Sequence, residues 1–289
     1  KKSFKSFSPL ICFAIKSNAN IGLIKEIKKF GLGADVVSMG ELMIALKAGI
    51  NPKKIVFSGV GKTSGEISYA IDKNILLINA ESESEIKEID RIAKLKKKQI
   101  QIGIRLNPNT DAKTLSKIST GKKENKFGVN EKTFLEIVNY CQNSKNINLK
   151  CLSVHIGSQI LDYKPYEKML KVIGKVIDKI NYKFEFIDLG GGMGISYEND
   201  NKKLNYKKYN FAIKKFLKKY KSKIIFEPGR SIVGNTAFLI SRIIYIKKNE
   251  RKNFVILDAA MNDFMRPALY GALHRTLPSL KNNKILKKT

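Results

Sequence analysis

The sequence predicts a (β/α)8 barrel, and three observations carry that expectation. Short apolar runs alternate with polar segments of helical spacing along the chain, and eight such runs can be counted. The runs are almost continuously apolar instead of alternating, as strands covered on both faces are. The chemically unusual residues fall where the runs end, at the face of such a barrel where function gathers.

In chain order the predicted strands are "LICFAIK", "ADVVS", "KIVFSG", "ILLINAE", "QIQIGIRLN", "CLSVHIGS", "FEFIDLGGG" and "KIIFEPGR". Between them, helical patterns occupy residues 20–30, "MGELMIALKAG", "SGEISYAID", "SESEIKEIDRIAKLK", "EKTFLEIVNYCQ", "PYEKMLKVIGKVIDKI" and residues 206–220. The longest interruption, "NPNTDAKTLSKISTGKKENKFGVN" after the fifth strand, is expected to be an active-site loop by its position.

Composition excludes several other classes. At 289 residues and 43% hydrophobic, the chain can bury a full core. It has no apolar run of membrane-spanning length, and "KKSFKSFSPL" lacks the apolar centre of a signal peptide, so a cytoplasmic protein is expected with no membrane partner. The three cysteines, Cys12, Cys141 and Cys151, form no C-x-x-C pair, which suggests buried reduced thiols and no metal site. A net charge of +30 would ordinarily suggest nucleic acid, yet only seven of the 55 basic residues are arginine. The lysines are spread over what read as solvated helix faces, so no nucleic-acid partner is expected.

At the strand ends, the residue types point to one chemistry. Lys16 closes the first apolar run, where desolvation is expected to lower its pKa and leave an amine able to form a Schiff base with an aldehyde. "LGGGMG" after the seventh strand and "EPGR" after the eighth offer backbone N–H groups and a guanidinium for a phosphate. Glu227, a carboxylate beside a phosphate site, makes sense if a basic ring nitrogen has to stay protonated. With His155 able to stack on a ring, these residues together describe pyridoxal 5′-phosphate.

"FAIKSN", "GLGADVVSMGEL", "KISTGKKENKFG", "HIGSQ", "DLGGGMGISY", "EPGRSIV" and "DAAMNDFMRPALY" follow one another in the order found in the fold-type III pyridoxal-phosphate decarboxylases, which the chain resembles over nearly its whole length. The resemblance implies that Lys16 binds the cofactor aldehyde and that His155 stacks on its ring. Ser158, Gly190, Gly191, Gly192, Gly229 and Arg230 would surround the phosphate, Glu227 would pair with the ring nitrogen, and Asp35 would support Lys16. Arg230, Arg266 and Tyr270 would bind a substrate carboxylate, which points to decarboxylation of meso-2,6-diaminopimelate to L-lysine. His274 is read as structural.

Two alternatives share the same residues: decarboxylation of another basic amino acid, of ornithine or arginine type, and a non-catalytic cofactor-binding fragment. Residues 1–233 are expected to form the barrel and residues 234–289 the incomplete start of an all-β domain. Against the family pattern the chain reads as truncated at both ends, without the segment that carries the proton donor, so activity of this length alone is doubtful. The full-length form is expected to be a homodimer.

Overall fold

A computed structural model of the chain describes residues 2–112, 120–121, 126–197 and 203–279. Most of "KISTGKKENKFG" lies outside the described residues, and with it much of the expected active-site loop. By contact the chain divides into two units, one of residues 1–195 and 203–235 and one of residues 196–202 and 236–289.

The first unit is a closed barrel of eight parallel strands in sequential order: β1 (Leu10–Ala14), β2 (Gly33–Val36), β3 (Ile55–Phe57), β4 (Leu77–Ala80), β5 (Ile100–Arg105), β6 (Ile147–Ser153), β7 (Phe186–Asp188) and β8 (Lys223–Phe226). Leu10 and Ile11 pair with Ile225 and Phe226 to close the ring. Helices α1 (Ile21–Lys29), α2 (Met39–Lys47), α3 (Ser64–Asp72), α4 (Glu83–Leu95), α5 (Glu131–Asn143), α6 (Lys164–Ile177) and α7 (Tyr206–Tyr220) join the strands. Most of these helices start on a polar cap that satisfies otherwise unpaired N–H groups: Asn20, Ser38, Thr63, Ser82, Asn130 and Asn205 each accept from the first turn. Thr63 and Glu66 form a reciprocal capping box, and Glu66 also accepts the Met39 N–H from the neighbouring helix.

The eight predicted strands and seven helical patterns all appear, with two differences at strand ends. β6 begins at Ile147, four residues before the predicted run, because Ile147 and Leu149 are buried against β5 despite the polar Asn148 and Lys150 that alternate with them. β1 stops at Ala14, and Ile15–Ser17 form one turn of 3-10 helix, so Lys16 stands just beyond the strand and does not close it.

Alternate residues of each strand face opposite ways, and this fixes the character of the barrel interior. One parity, including Phe13, Ala34, Phe57, Ile78, Ile104, Leu152, Ile187 and Ile224, packs against the helices. The other begins with a separate apolar cluster of Cys12, Val56, Leu77, Cys151, Phe186 and Ile225. Two residues further along the same strands stand Ser58, Asn79, Ser153, Asp188 and Glu227, so the interior turns from apolar to polar toward the C-terminal end of the barrel. Asn79 fits because its neighbour is Gly103, where an added Cβ would lie 2.1 Å from the Asn79 Oδ1.

A short helix, α8 (Arg230–Val233), follows β8; in the second unit, β9 (Ile243–Lys248) and β10 (Asn253–Leu257) form an antiparallel pair, and α9 (Arg266–Tyr270) follows. Asp258 ties the pair's start by accepting from the Arg242 N–H and the Ser241 hydroxyl. Among the described residues, no helix is long and apolar enough to cross a membrane and no cluster of side chains has the makeup of a metal site. The three cysteines are buried and unpaired.

The tightest point of the barrel is the β2–β3 contact, where a Cβ at Gly33 would lie 1.9 Å from the Lys54 carbonyl oxygen. Gly33→Ala is therefore expected to cost about 1–3 kcal/mol, read as a lower urea midpoint. Gly65→Ala, at an exposed site in α3 with nothing within 4 Å of the new methyl, is the control and should match or exceed the parent. Equal midpoints for the two variants would contradict this register.

Candidate active site

The residues singled out in the sequence meet, in large part, at the C-terminal mouth of the barrel. Lys16, 55% exposed in the turn after β1, places its Nζ 3.1 Å from Oδ2 of the fully buried Asp35 on β2. The other Asp35 oxygen has no hydrogen-bond partner. Glu227, just past β8, accepts from the Ser58 hydroxyl at 3.2 Å, and its backbone N–H donates to the Gly190 carbonyl at 2.8 Å. That bond links the end of β8 to the glycine turn after β7.

The glycine turn is built by close backbone approach. Added Cβ atoms would lie 2.2 Å from the Glu227 carbonyl at Gly191 and 2.2 Å from the Gly157 carbonyl at Gly192, and Gly190 and Gly192 have φ values of 61° and 86°. Asp188 Oδ1 accepts the Gly190 N–H at 2.9 Å, and the Nδ1 of His155 accepts the Gly191 N–H at 3.2 Å. The fully buried Tyr166 donates its hydroxyl to the Gly191 carbonyl at 3.1 Å. Among the described residues, the Gly192 and Gly229 N–H groups and the Ser158 hydroxyl make no hydrogen bond, so three donors at strand ends are left for a ligand. Arg230 is oriented by Gln159, whose Oε1 accepts its Nη1 at 3.0 Å.

The electrostatics revise one expectation. Asp35 holds the Lys16 ammonium above the ordinary lysine pKa; burial opposes this, and Glu227 reinforces it. The pKa of Lys16 is therefore raised, not lowered, because a carboxylate 3.1 Å away outweighs partial desolvation of a half-exposed side chain. Burial, helped by Arg105 and Lys16, pushes His155 well below the usual histidine range. With Nδ1 accepting a backbone N–H, His155 is a neutral ring protonated at Nε2. Burial also drives Glu227 well above the carboxylate range, aided by Asp188 and Asp35.

Several residues of the site were not singled out in the sequence. Asp188 is fully buried, and Asn79, also buried, donates to its Oδ2 at 3.1 Å. Arg105 pairs with Glu81 at 2.8 Å, and Glu81 also accepts the Gly59 and Gly128 N–H groups. Lys62, 1% exposed, is spent on Glu85 and on the Gly59 and Asn79 carbonyls, so it pins strand ends and is no rival to Lys16. The only advance signal for these groups was a charged or amide residue near the end of an apolar run.

Arg266 and Tyr270 belong to α9 of the second unit. There the Arg266 guanidinium lies over the Tyr197 and Tyr270 rings at 5.2 and 5.9 Å, and its Nε donates to His274 at 3.4 Å.

A parallel eight-stranded barrel with a half-exposed lysine paired to a buried acid, further acids and unspent N–H donors at one mouth has the makeup of a pyridoxal-binding barrel. The model of the pyridoxal-dependent decarboxylase family, pyridoxal binding domain, matches residues 1–234. A diaminopimelate decarboxylase of Helicobacter pylori is 46% identical over 95% of this chain and 68% of its own length. One from Aquifex aeolicus is 40% identical over 93% of this chain and 65% of its own. The crystal structure of the Helicobacter pylori diaminopimelate decarboxylase complexed with L-lysine superimposes with a TM-score of 0.91 at 44% identity, covering 95% of this chain and 70% of that one. The chain belongs to the diaminopimelate decarboxylase family within the pyridoxal-dependent decarboxylases.

His155 gives a direct check on the site's electrostatics. With only two histidines in the chain, imidazole NMR signals are simple to assign by a His274→Gln variant. Because its charged form is disfavoured, His155 should remain neutral, with Nδ1 unprotonated, at pH values where an ordinary histidine is already charged. A midpoint at or above the ordinary value of about 6.5 would contradict the burial and hydrogen bond described.

Proposed function

We propose that this chain decarboxylates meso-2,6-diaminopimelate to L-lysine with pyridoxal 5′-phosphate, using the barrel mouth as its active site. The observation that carries the reading is Lys16 facing an excess of acid, Asp35, Glu227 and Asp188, beside unspent N–H and O–H donors. The donor set fits the cofactor at each end. Ser158, Gly192, Gly229 and Arg230 suit a phosphate, with Gly190 and Gly191 shaping the turn. Glu227 suits a ring nitrogen that has to carry a proton, and the unpartnered Asp35 oxygen marks a place for further positive charge or a hydrogen-bond donor.

Each residue then has a physical task. Lys16 supplies the amine for the cofactor aldehyde, and Asp35 holds that amine at the mouth. His155, kept neutral, offers a flat ring for stacking without adding a like charge to a protonated heterocycle. Arg230, Arg266 and Tyr270 are proposed to bind substrate carboxylate, since forked guanidinium donors and a phenol match that group better than they match an amine. When bound, the cofactor supplies the electron sink for loss of carbon dioxide; the protein supplies orientation and a fixed charge pattern.

We further place the chain in the cytoplasm, acting on a small amino acid and forming a homodimer in its full-length form. Neither nucleic acid nor membrane has a part in this reading.

Borohydride reduction with pyridoxal phosphate, followed by peptide mapping, tests the reading. Label is expected on Lys16, and Lys16→Ala should lose it together with about 10³-fold or more of any lysine-forming activity. Label scattered over surface lysines would reject the site. Labelling of Lys16 with turnover of ornithine or arginine in place of diaminopimelate would reject only the substrate.

A further inference from the structure

The reading above gives the buried carboxyl group of Asp188 no task of its own. Asp188 lies at the end of β7, fully buried inside the barrel, and its pairing with Ile225 on β8, together with the shared neighbours Asn79 and Ser58, brings its carboxyl group beside that of Glu227. Two carboxyl groups in such contact do not both ionise, so one of them carries a proton. The neighbouring donors decide which. Asp188 receives two N–H groups from fixed positions, the Gly190 backbone at 2.9 Å and the Asn79 amide at 3.1 Å. Glu227 receives one hydroxyl, from Ser58 at 3.2 Å. The better-solvated Asp188 is the anion, and Glu227 is the acid that donates to it.

The surroundings preserve this arrangement. Asp35 on β2 adds a second negative charge facing the pair, while Cys12 on β1, Cys151 on β6 and Tyr209 on α7 are each held neutral by burial. Lys16 acts on Glu227 from the mouth, but its ammonium is already paired with Asp35. Burial raises both carboxyl groups, Asp188 to about 6 and Glu227 well above the carboxylate range, so a proton is retained between them.

We propose that Asp188 is a positioning residue for Glu227: it makes the pair hold one proton on Glu227 in the cofactor-free barrel, ready for the ring nitrogen that Glu227 will face. In that transfer the Glu227 O–H bond breaks and an N–H bond forms on the ring. The pair goes from one negative charge to two, and the added charge is matched by the cationic ring. Binding of cofactor whose ring nitrogen is unprotonated thereby needs no proton from solvent at this position. The inference rests on the cofactor and the Glu227 assignment proposed above.

Proton linkage tests it, with pyridoxal phosphate itself as the probe. The slope of log Kd against pH counts the protons taken up on binding. Asp188→Asn removes the anion beside Glu227, which then ionises at lower pH, so binding has to draw its proton from solvent. The slope is expected to steepen by up to about one relative to the parent at alkaline pH, where the free cofactor's ring nitrogen has lost its own proton. Were Asp188 merely bracing the glycine turn, the variant would bind more weakly by one constant factor, and parallel profiles would overturn the proposal. Should the variant fail to fold, infrared spectroscopy of the parent chain decides. The C=O stretch of a protonated carboxylic acid is expected in the cofactor-free protein, lost on adding pyridoxal phosphate and missing in Glu227→Gln. Absence of that band from the cofactor-free protein overturns the proposal. Borohydride mapping on the same samples separates the two levels of failure. Label on Lys16 with parallel profiles removes this inference alone, whereas label elsewhere removes the functional reading and this inference with it.

Discussion

The ion pair between Lys16 and Asp35 is the constraint from which the rest of the barrel mouth follows. A fully buried carboxylate has to be compensated, and Asp35 is compensated on one oxygen only. Behind it stand Glu227 and Asp188, whose donors are hydroxyl, amide and backbone N–H groups. The site is thus short of positive charge at its floor and well supplied with hydrogen-bond donors at its rim. A molecule with a basic heterocycle at one end and a phosphate at the other answers both conditions at once.

That charge pattern depends on the geometry of the strands. In a parallel barrel a two-residue step along a strand keeps a side chain on the inner face and moves it one level up. Val56 to Ser58, Leu77 to Asn79, Phe186 to Asp188 and Ile225 to Glu227 each make that step, from the apolar cluster to the polar level. The apolar level excludes water from beneath the acids, which is why burial is the leading cause of the raised pKa of Glu227. The floor and the site are consecutive layers of one packed interior.

This layering also explains what could and could not be read in the sequence. The eight strands were legible because apolar runs between polar segments of helical spacing admit few other folds, and Lys16 and Glu227 stood out where those runs break. Asp188 and Asn79 did not stand out, because a strand buried on both faces has no alternation to show which residues point inward. Only the pairing of β7 with β8 and of β4 with β5 brings Asp188 to Glu227 and seats Asn79 over Gly103. The sign of the Lys16 shift was hidden for a related reason. Asp35, nineteen residues away, becomes its neighbour through the register that sets Ala14 beside Asp35.

The raised pKa of Lys16 bears on how one lysine is chosen among 48. Intrinsic nucleophilicity cannot decide the matter, since in the cofactor-free barrel Lys16 holds its proton more tightly than an ordinary surface lysine. Each unit of pKa elevation costs about 1.4 kcal/mol of available free amine. Correct placement of a reacting partner is worth far more, about 7–11 kcal/mol where the geometry is well aligned. The donors at Ser158, Gly192 and Gly229 and the acid at Glu227 supply that placement from the ends of three strands, β6, β7 and β8. Selection therefore resides in the assembled barrel mouth and not in the lysine, and a chain whose strand ends lose their register should lose it however reactive its amines remain.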